Sequence, residues 1–340
     1  MTRAKKHRAT IGDVSALADV SRATVSRVMN GSPTVDAVIA DRVRKAAAEL
    51  QYRPSNLARS LSLGRTGTVA VSVPDLRNPM LHTVLQGISA SAAHDGYHLL
   101  VSIAGDDVSQ EERHFLDARQ RCDGLILVNP RGPEDELRSA LLQLSPAVVI
   151  NRDTTDLPAP TLSVNHERGI ALLIEHLKEL GHRHLAYVTG PPTAVSDLPR
   201  KRAIARALAA DSRLEIQTVS GGRDVFDGRE AAEEVLRTRA TGVLVFNDLV
   251  AVGLLSKLRE LGISVPDQLS VAGFDDIDLA HCAYPSLTTV KVAHYELGCR
   301  AWRELAVLLE HPDSASEAFH SFDADLVRRC STGPAPEIPR

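Results

Sequence analysis

The sequence predicts an α/β chain: a three-helix helix-turn-helix head followed by a large body of doubly wound parallel sheets. Three observations predict it. Residues 11–50 carry three short helical patterns with turn-like joins. From Thr68 onward, short β-branched runs alternate with helix-length amphipathic stretches in two successive series, and such alternation implies parallel sheets covered on both faces. Charge is also partitioned: the first 65 residues hold 12 Lys and Arg against 5 Asp and Glu, a net of +7. The whole chain is −4, so the remaining 275 residues carry −11. A basic head on an acidic body is the electrostatic pattern of a chain that sets one end on a polyanion.

At 340 residues the chain exceeds what one hydrophobic core serves, so two or three domains are expected. No apolar run reaches the roughly 18–20 residues that span a bilayer. Met1 to Ser15 is basic and polar with no apolar centre, which argues against a secretory signal. A cytoplasmic chain with no membrane partner is the expectation. Cys122, Cys282, Cys299 and Cys330 form no CxxC pair; they read as buried thiols in a reduced compartment. No cofactor or metal is expected.

In the head, Thr10 is placed to cap a first helix with Asp13 completing a capping box. Ile11, Val14, Leu17 and Ala18 then share one helical face. Asp19 and Val20 turn the chain, Ser21 caps a second helix, and Val25, Val28 and Met29 form its apolar stripe. Asn30-Gly31 ends it. Asp36 caps a third helix with a stripe of Ile39, Val43, Ala46, Ala47 and Leu50. Two helices so closely joined and braced by a third make a helix-turn-helix. Arg22 and Ala23 lie in the first turn of the second helix, where a recognition helix meets base edges, and Arg27 lies about one turn further along. Arginine donates two bonds to guanine, and a small apolar side chain suits a thymine methyl. Ser21, Thr24, Ser26 and Asn30 carry short polar groups suited to phosphate oxygens. The alternative is a merely solvated basic surface.

In the body, Val69 to Val73, Tyr97 to Ile103, Gly124 to Val128 and Ala147 to Ile150 read as strands of one sheet. Met80 to His94, Glu111 to Arg121 and Glu134 to Leu144 read as the crossover helices between them. Leu185 to Thr189, Ile216 to Val219, Gly242 to Phe246 and Ser270 to Gly273 form a second series. Two series imply two lobes. Ligands in open α/β sheets bind at the carboxyl ends of strands, so the cleft between lobes is the expected pocket.

Residues 11–61 resemble the DNA-binding region of the lactose/galactose repressor family. VSRATVSRVMNG (Val20–Gly31) and LQYRPSNLARSL (Leu50–Leu61) are close to its signature. The resemblance adds Thr10 to the DNA contacts and implies a hinge helix over Ser55 to Leu61 that orders on DNA. Leu61 would wedge into the minor groove, with Asn56 and Ala58 beside it; alternatively, Leu57 and Leu61 form an ordinary helical pair. Asp19 departs from the Gly of many relatives, though Asp tolerates positive φ. The body is similar to the same family through DLRNPM (Asp75–Met80), RCDGLILV (Arg121–Val128), GHRHLAYVTGPP (Gly181–Pro192), VFNDLVAVG (Val245–Gly253), GISVPDQLSVAGFDD (Gly262–Asp276) and PSLTTV (Pro285–Val290).

That family's lobes look like periplasmic sugar-binding proteins and exchange strands at three crossovers. The implied division is a head over 1–53, a hinge and linker over 54–65, and a first lobe of 66–163 plus 292–322. A second lobe of 164–291 plus 323–333 and a disordered tail over 334–340 complete it. Implied effector contacts are Asn78, Met80, Asn151, Arg152, Arg202, Arg223, Asn247 and Asp275, with Asn247 and Asp275 equally readable as caps. Met80 and Leu81 stand where relatives often carry aromatics, Asn151 replaces an acid common at its position, and Arg223 stands near where relatives place a stacking aromatic. Aromatic residues make up only 4% of the chain; with more arginines, this points to a small polar effector, sugar-like and open to an anionic form. The implied partners are double-stranded operator DNA, that effector and a second copy of the chain, as a repressor whose homodimer reads a pseudo-palindrome.

Two other classes compete. An enzyme reading finds no GxGxxG after a strand, P-loop, HExxH or GxSxG, so no catalytic residue is nominated. His182 and His184 around Arg183 read as solvated turn residues rather than ligands. A sugar-binding transport protein fits the lobes but needs an export signal and leaves the basic head without a purpose.

Overall fold

In the computed structural model the described residues are 9–31, 34–52, 64–105, 107–311 and 318–337. The chain divides into two units, Met1–Gly67 and Thr68–Arg340. In the first, α1 (Ile11–Ala18), α2 (Arg22–Met29) and α3 (Ala37–Glu49) start at the expected caps. Thr10 Oγ1 accepts the Asp13 amide while the Asp13 carboxylate accepts the Thr10 amide, closing the capping box. Asp19 ends α1 at φ 48°, in the left-handed region. Ser21 Oγ takes the Thr24 amide at 3.1 Å, and Asp36 takes those of Val38 and Ile39. The core is Val14, Ala18, Val25, Val28, Ala40, Val43, Ala46 and Ala47. Ile11, Met29 and Leu50 pack against it half-buried, and two stripe residues, Leu17 and Ile39, fall outside it. Leu17 is 47% exposed, because an eight-residue helix touching two neighbours buries only the narrow i, i+4 line through Val14 and Ala18. Ala40, one position on in α3, enters the core in place of Ile39.

The body contains two parallel sheets. The first runs β2-β1-β3-β4-β5-β11, with β1 Thr68–Val73, β2 His98–Ile103, β3 Gly124–Val128, β4 Ala147–Ile150, β5 Thr161–Val164 and β11 Phe319–Phe322. Every pairing in it is parallel. Alternate residues point to opposite faces. Val69, Val71 and Val73 pack in the cluster that includes α4 (Pro79–His94) and α12 (His294–Glu310). Ala70, Leu125 and Leu127 pack with α5 (Glu111–Arg119) and α6 (Glu134–Leu144). The second sheet runs β7-β6-β8-β9, with β6 His184–Val188, β7 Glu215–Val219, β8 Gly242–Val245 and β9 Ser270–Ala272. Around it lie α7 (His166–Glu179), α8 (Asp197–Ala210), α9 (Val225–Arg237), α10 (Asp248–Glu260) and the short α11 (Asp278–Cys282). Parallel bridges Ala272–Thr288 and Asp275–Lys291 bring β10 (Thr289–Val292) alongside β9, and β12 (Ala324–Val327) pairs antiparallel to β10. The chain therefore crosses between lobes after β5, after β10 and between β11 and β12.

The sequence pattern misses β5, β10, β11 and β12, four-residue strands (TLSV, TVKV, FHSF, ADLV) whose polar residues break the apolar run that marks the equally short β4 and β8. Three further expectations are corrected. His182 is fully buried, with Nδ1 on Thr241 Oγ1 and Nε2 on the Gly333 carbonyl; only His184 is a surface residue. Of the four free thiols, Cys122 is buried but Cys282 and Cys330 are exposed. The C-terminal stretch is docked rather than disordered as far as residue 337. Ser331 Oγ bonds Val271 O, and the Ala335 amide donates to Leu180 O at 2.8 Å; residues 338–340 lie outside the described residues.

Candidate functional site

The exposed face of α2 presents Ser21, Arg22, Ala23 and Arg27, with Thr24, Ser26 and Asn30 half-buried beside them. Ser21 Oγ and Thr24 Oγ1 lie 2.9 Å apart. Asn30 Nδ2 reaches Ser26 Oγ at 3.5 Å, and Arg27 Nε donates to its own helix at Ala23 O. Arg22 lies over α1, where a Cβ on Gly12 would stand 3.2 Å from its guanidinium. Thr10 spends its hydroxyl on Asp13. Asn56, Ala58 and Leu61 lie outside the described residues.

A cleft of about 730 Å³, counting the solvent it opens to, lies where the carboxyl ends of the two sheets face each other. Asn78, Met80, Asn151, Arg223 and Asn247 line it. Asn78 caps α4 through the Met80 amide, and Asn247 caps α10 through the Val250 amide while its Nδ2 donates to Arg223 O. Asn151 follows β4 at φ 62° and Asn129 follows β3 at φ 51°. The Asn129 amide donates to Ile150 O, so the two residues sit side by side on adjacent strands, both on the cavity wall. The Oδ1 atoms of both are buried without a hydrogen-bond partner. Buried polar atoms are nearly always paired, so two unpaired acceptors side by side in one wall are available to donors of a ligand or of water.

Three expected contacts are not in this wall. Arg202 leaves the outer face of α8: its guanidinium pairs with Asp153 and with Glu167 Oε1, and it is 49% exposed. Those carboxylates raise the Arg202 pKa, and Arg202 in turn lowers that of Glu167. Arg200, about 200° around the helix, points inward. It is 2% exposed, with its guanidinium carbon 4.4 Å from the Phe274 ring centre and 4.7 Å from that of Phe246, and its Nε is buried and unpartnered. The signal was present in the sequence, because Arg200, Ala203 and Ile204 fall on one i, i+3, i+4 stripe. Arg152 is also buried, but its NH1 donates to Pro130 O and Gly132 O, so it braces a wall loop from behind. Asp275 lines a second cavity of about 1310 Å³ with Met80, Asp276, Asp278 and His294. Asn78 Nδ2 donates to Asp275 Oδ2 at 3.4 Å, joining the lobes between the two cavities.

Burial controls titration here. The Asp275 carboxyl is pushed up to about 6 by desolvation, against the opposing pull of Arg200 and the Asn78 bond. Desolvation pushes His294 down to about 4, partly offset by the Asp275 main chain. His166, beside Phe274, is held well below the usual imidazole range by burial and by Arg200. Both histidines are therefore neutral near pH 7, each offering one donor and one acceptor. Sequence reasoning missed them, together with Asn129, Arg131 and Phe246. Among the described residues no cluster of three or more His, Cys, Asp or Glu could hold a metal, and no helix is long and apolar enough to cross a membrane.

Comparison with known proteins joins the two sites. Residues 10–55 match the model for bacterial regulatory proteins of the lacI family. Residues 174–332 match the periplasmic binding protein-like domain. The transcriptional repressor CytR of Escherichia coli K12 is 31% identical over 348 residues, covering 98% of this chain and 100% of the relative. The regulator GalR of Salmonella typhimurium is 33% identical over 332 residues, covering 95% and 96%. The fold superimposes on the lac repressor dimer bound to operator and the anti-inducer ONPF with a TM-score of 0.86 at 26% identity, over 96% of this chain and 99% of that one. Full-length similarity at both ends makes this chain a member of the lacI family, a DNA-binding transcriptional regulator with a ligand-binding body rather than an enzyme.

Proposed function

We propose that the protein is a repressor whose homodimer reads a pseudo-palindromic operator and is controlled by a small uncharged polar effector, a sugar or sugar derivative, in the interlobe cavity. The observation that carries the reading is the pair of unpartnered acceptors, Asn129 Oδ1 and Asn151 Oδ1, in the wall of the interlobe cleft on a chain whose head presents a recognition-helix face. Arg22 and Ala23 would read bases; Arg27, Ser21, Thr24, Ser26, Asn30 and Thr10 would hold the backbone. Asn56, Ala58 and Leu61 keep the hinge role that the family resemblance implies. Asn78, Met80, Asn129, Asn151, Arg223 and Asn247 are the effector contacts, with Arg200 and Asp275 setting the polarity of the inner wall.

An anionic effector loses its support, since the cavity arginines already face carboxylates: Arg131 with Glu111 at 3.1 Å, Arg77 with Asp224 and Arg223 with Asp75. A dimer is supported by the outer strand β2, which carries exposed Leu100, Val101 and Ile103, and by exposed Leu279 and Tyr284. Contiguous exposed apolar surface of the kind β2 would offer suits association with a second copy. The strand exchange supports a body divided into 66–163 plus 292–322 and 164–291 plus 323–337; the bounds 1–53 and 54–65 are those the family resemblance implies.

The test is selection of bound sequences from random duplex DNA, with a thermal-shift screen of neutral sugars and nucleosides in parallel. Enriched inverted repeats and a saturable rise in melting temperature are expected. Enrichment of unpaired half-sites alone would remove the dimer. A response to anionic sugars alone would remove the uncharged effector.

A further inference from the structure

Two ion pairs cross the cleft in reciprocal fashion. From the loop after β1, Arg77 NH1 lies 3.3 Å from Asp224 Oδ2. From the loop after β7, Arg223 NH1 lies 3.6 Å from Asp75 Oδ2. Each loop thus offers one acid and one base to the other. Asp75, Arg77 and Arg223 all line the 730 Å³ cavity, and the four side chains are between 21% and 52% exposed, so the pairs sit where the cavity meets solvent.

Both halves are held in place. Asp75 Oδ1 accepts the Arg77 amide at 2.7 Å. Asp224 caps α9 through the Phe226 and Asp227 amides, and Asp227 Oδ2 accepts the amides of Arg223 and Asp224. A Cβ on Gly222 would fall 2.2 Å from that same Asp227 oxygen, so the turn needs glycine. The third cavity arginine, Arg131, is matched by buried Glu111, whose other oxygen takes the Arg131 and Gly132 amides.

We propose that Asp75 and Asp224 are specificity-determining residues: their reciprocal pairs with Arg223 and Arg77 close the cavity mouth and neutralise its arginines, so that the cleft rejects anions. The proposal rests on the reading that the cleft takes an effector, and it concerns what is excluded. Partly exposed ion pairs are weak and salt-screened, which lets the clasp open for an uncharged ligand without the cost of stranding a buried charge. An anion entering the closed cavity would meet the two carboxylates along with the arginines and gain no net attraction.

The experiment uses the full chain and inorganic phosphate as probe, at ionic strength matched with chloride. Wild type should show no saturable rise in melting temperature. Asp75→Asn/Asp224→Asn keeps the size of both side chains, and Asn still caps α9. It should bind phosphate at least about tenfold more tightly than wild type. Adding Arg77→Gln and Arg223→Gln should abolish the gain, which places the phosphate at this clasp. Saturable phosphate binding by wild type, no gain in the double variant, or a gain that survives loss of both arginines overturns the proposal. Failure of the effector reading would appear separately, as the absence of any stabilising neutral ligand while the phosphate result stands.

Discussion

Asn78 Nδ2 reaches across from the first lobe to Asp275 Oδ2 in the second at 3.4 Å, and this contact stands between the two cavities. After the larger pull of the Arg200 charge, it opposes the burial of Asp275, whose carboxyl is still pushed up to about 6. The sign of the resulting pH dependence is set by comparison with the unfolded chain. A carboxyl raised from about 4 to about 6 contributes stability that is present at low pH and lost as pH rises through 6. Buried His166, His176, His182 and His294 are all lowered, so their contribution is present above about 6.5 and lost as pH falls. Asp248, pushed well up by burial and by the neighbouring Asp275, acts in the same sense as Asp275; the four histidines outnumber the two carboxyls, so melting temperature should fall between pH 6.5 and 4. Asp275→Asn removes the opposing contribution and should steepen that fall by up to about 3 kcal/mol. Melting curves of both proteins across this range decide it; parallel profiles would place Asp275 outside the titrating set.

Arg200→Ala and Arg202→Ala should behave differently although two residues apart. Loss of Arg200 removes a cation over two rings and the positive charge facing buried Asp275, at a cost of roughly 2–4 kcal/mol. Loss of Arg202 removes half-exposed ion pairs, at about 1 kcal/mol or less. Operator binding across an effector titration should be unresponsive in Arg200→Ala and near wild type in Arg202→Ala. A silent Arg202→Ala with a normal Arg200→Ala would return the contact to Arg202.

The contrast between these arginines also marks how much was legible in the sequence. Caps and stripes fixed the head because Thr10, Ser21 and Asp36 act locally, on amides two or three residues away. Strands of five or six buried residues, such as Gly124–Val128, announced themselves. What could not be read was anything set by the meeting of distant segments. His182 is buried by Gly333 and Thr241, and Arg223 is paired by Asp75. The resemblance named the neighbourhood of the pocket. Helical phase then decides that Arg200 faces inward, and that phase was available in Ala203 and Ile204.

The contact between α4 and α12 gives a test of packing. A Cβ on Gly87 would stand 2.1 Å from Tyr295 O, and one on Gly298 would stand 2.2 Å from Val84 O. Both contacts are with backbone, so the helices themselves must separate. Gly298→Ala should destabilise the body by about 1–3 kcal/mol, seen as a lower urea midpoint at unchanged slope. An unchanged midpoint would mean the helices sit further apart than 2.2 Å implies.

The head allows folding and reading to be separated on adjacent residues. Ser21 holds the start of α2 through the Thr24 amide, whereas Arg22 is exposed and contributes nothing to the buried cluster. Ser21→Ala should therefore cost about 1 kcal/mol of head stability and weaken binding to all operators together, as an unfolding tax would. Arg22→Ala should leave the melting of the head unchanged. Its cost, roughly 1–3 kcal/mol, should fall on one base pair in each half-site, so that operators altered at that position are no longer discriminated. The slope of affinity against salt separates this from a phosphate contact, because losing a phosphate partner lowers the slope by about one for every sequence. Binding of a library of half-site variants by both proteins, at two salt concentrations, gives the answer. If Arg22→Ala weakened every variant by the same factor, Arg22 would be a backbone contact, and the reading residue would have to be sought at Ala23 or Arg27.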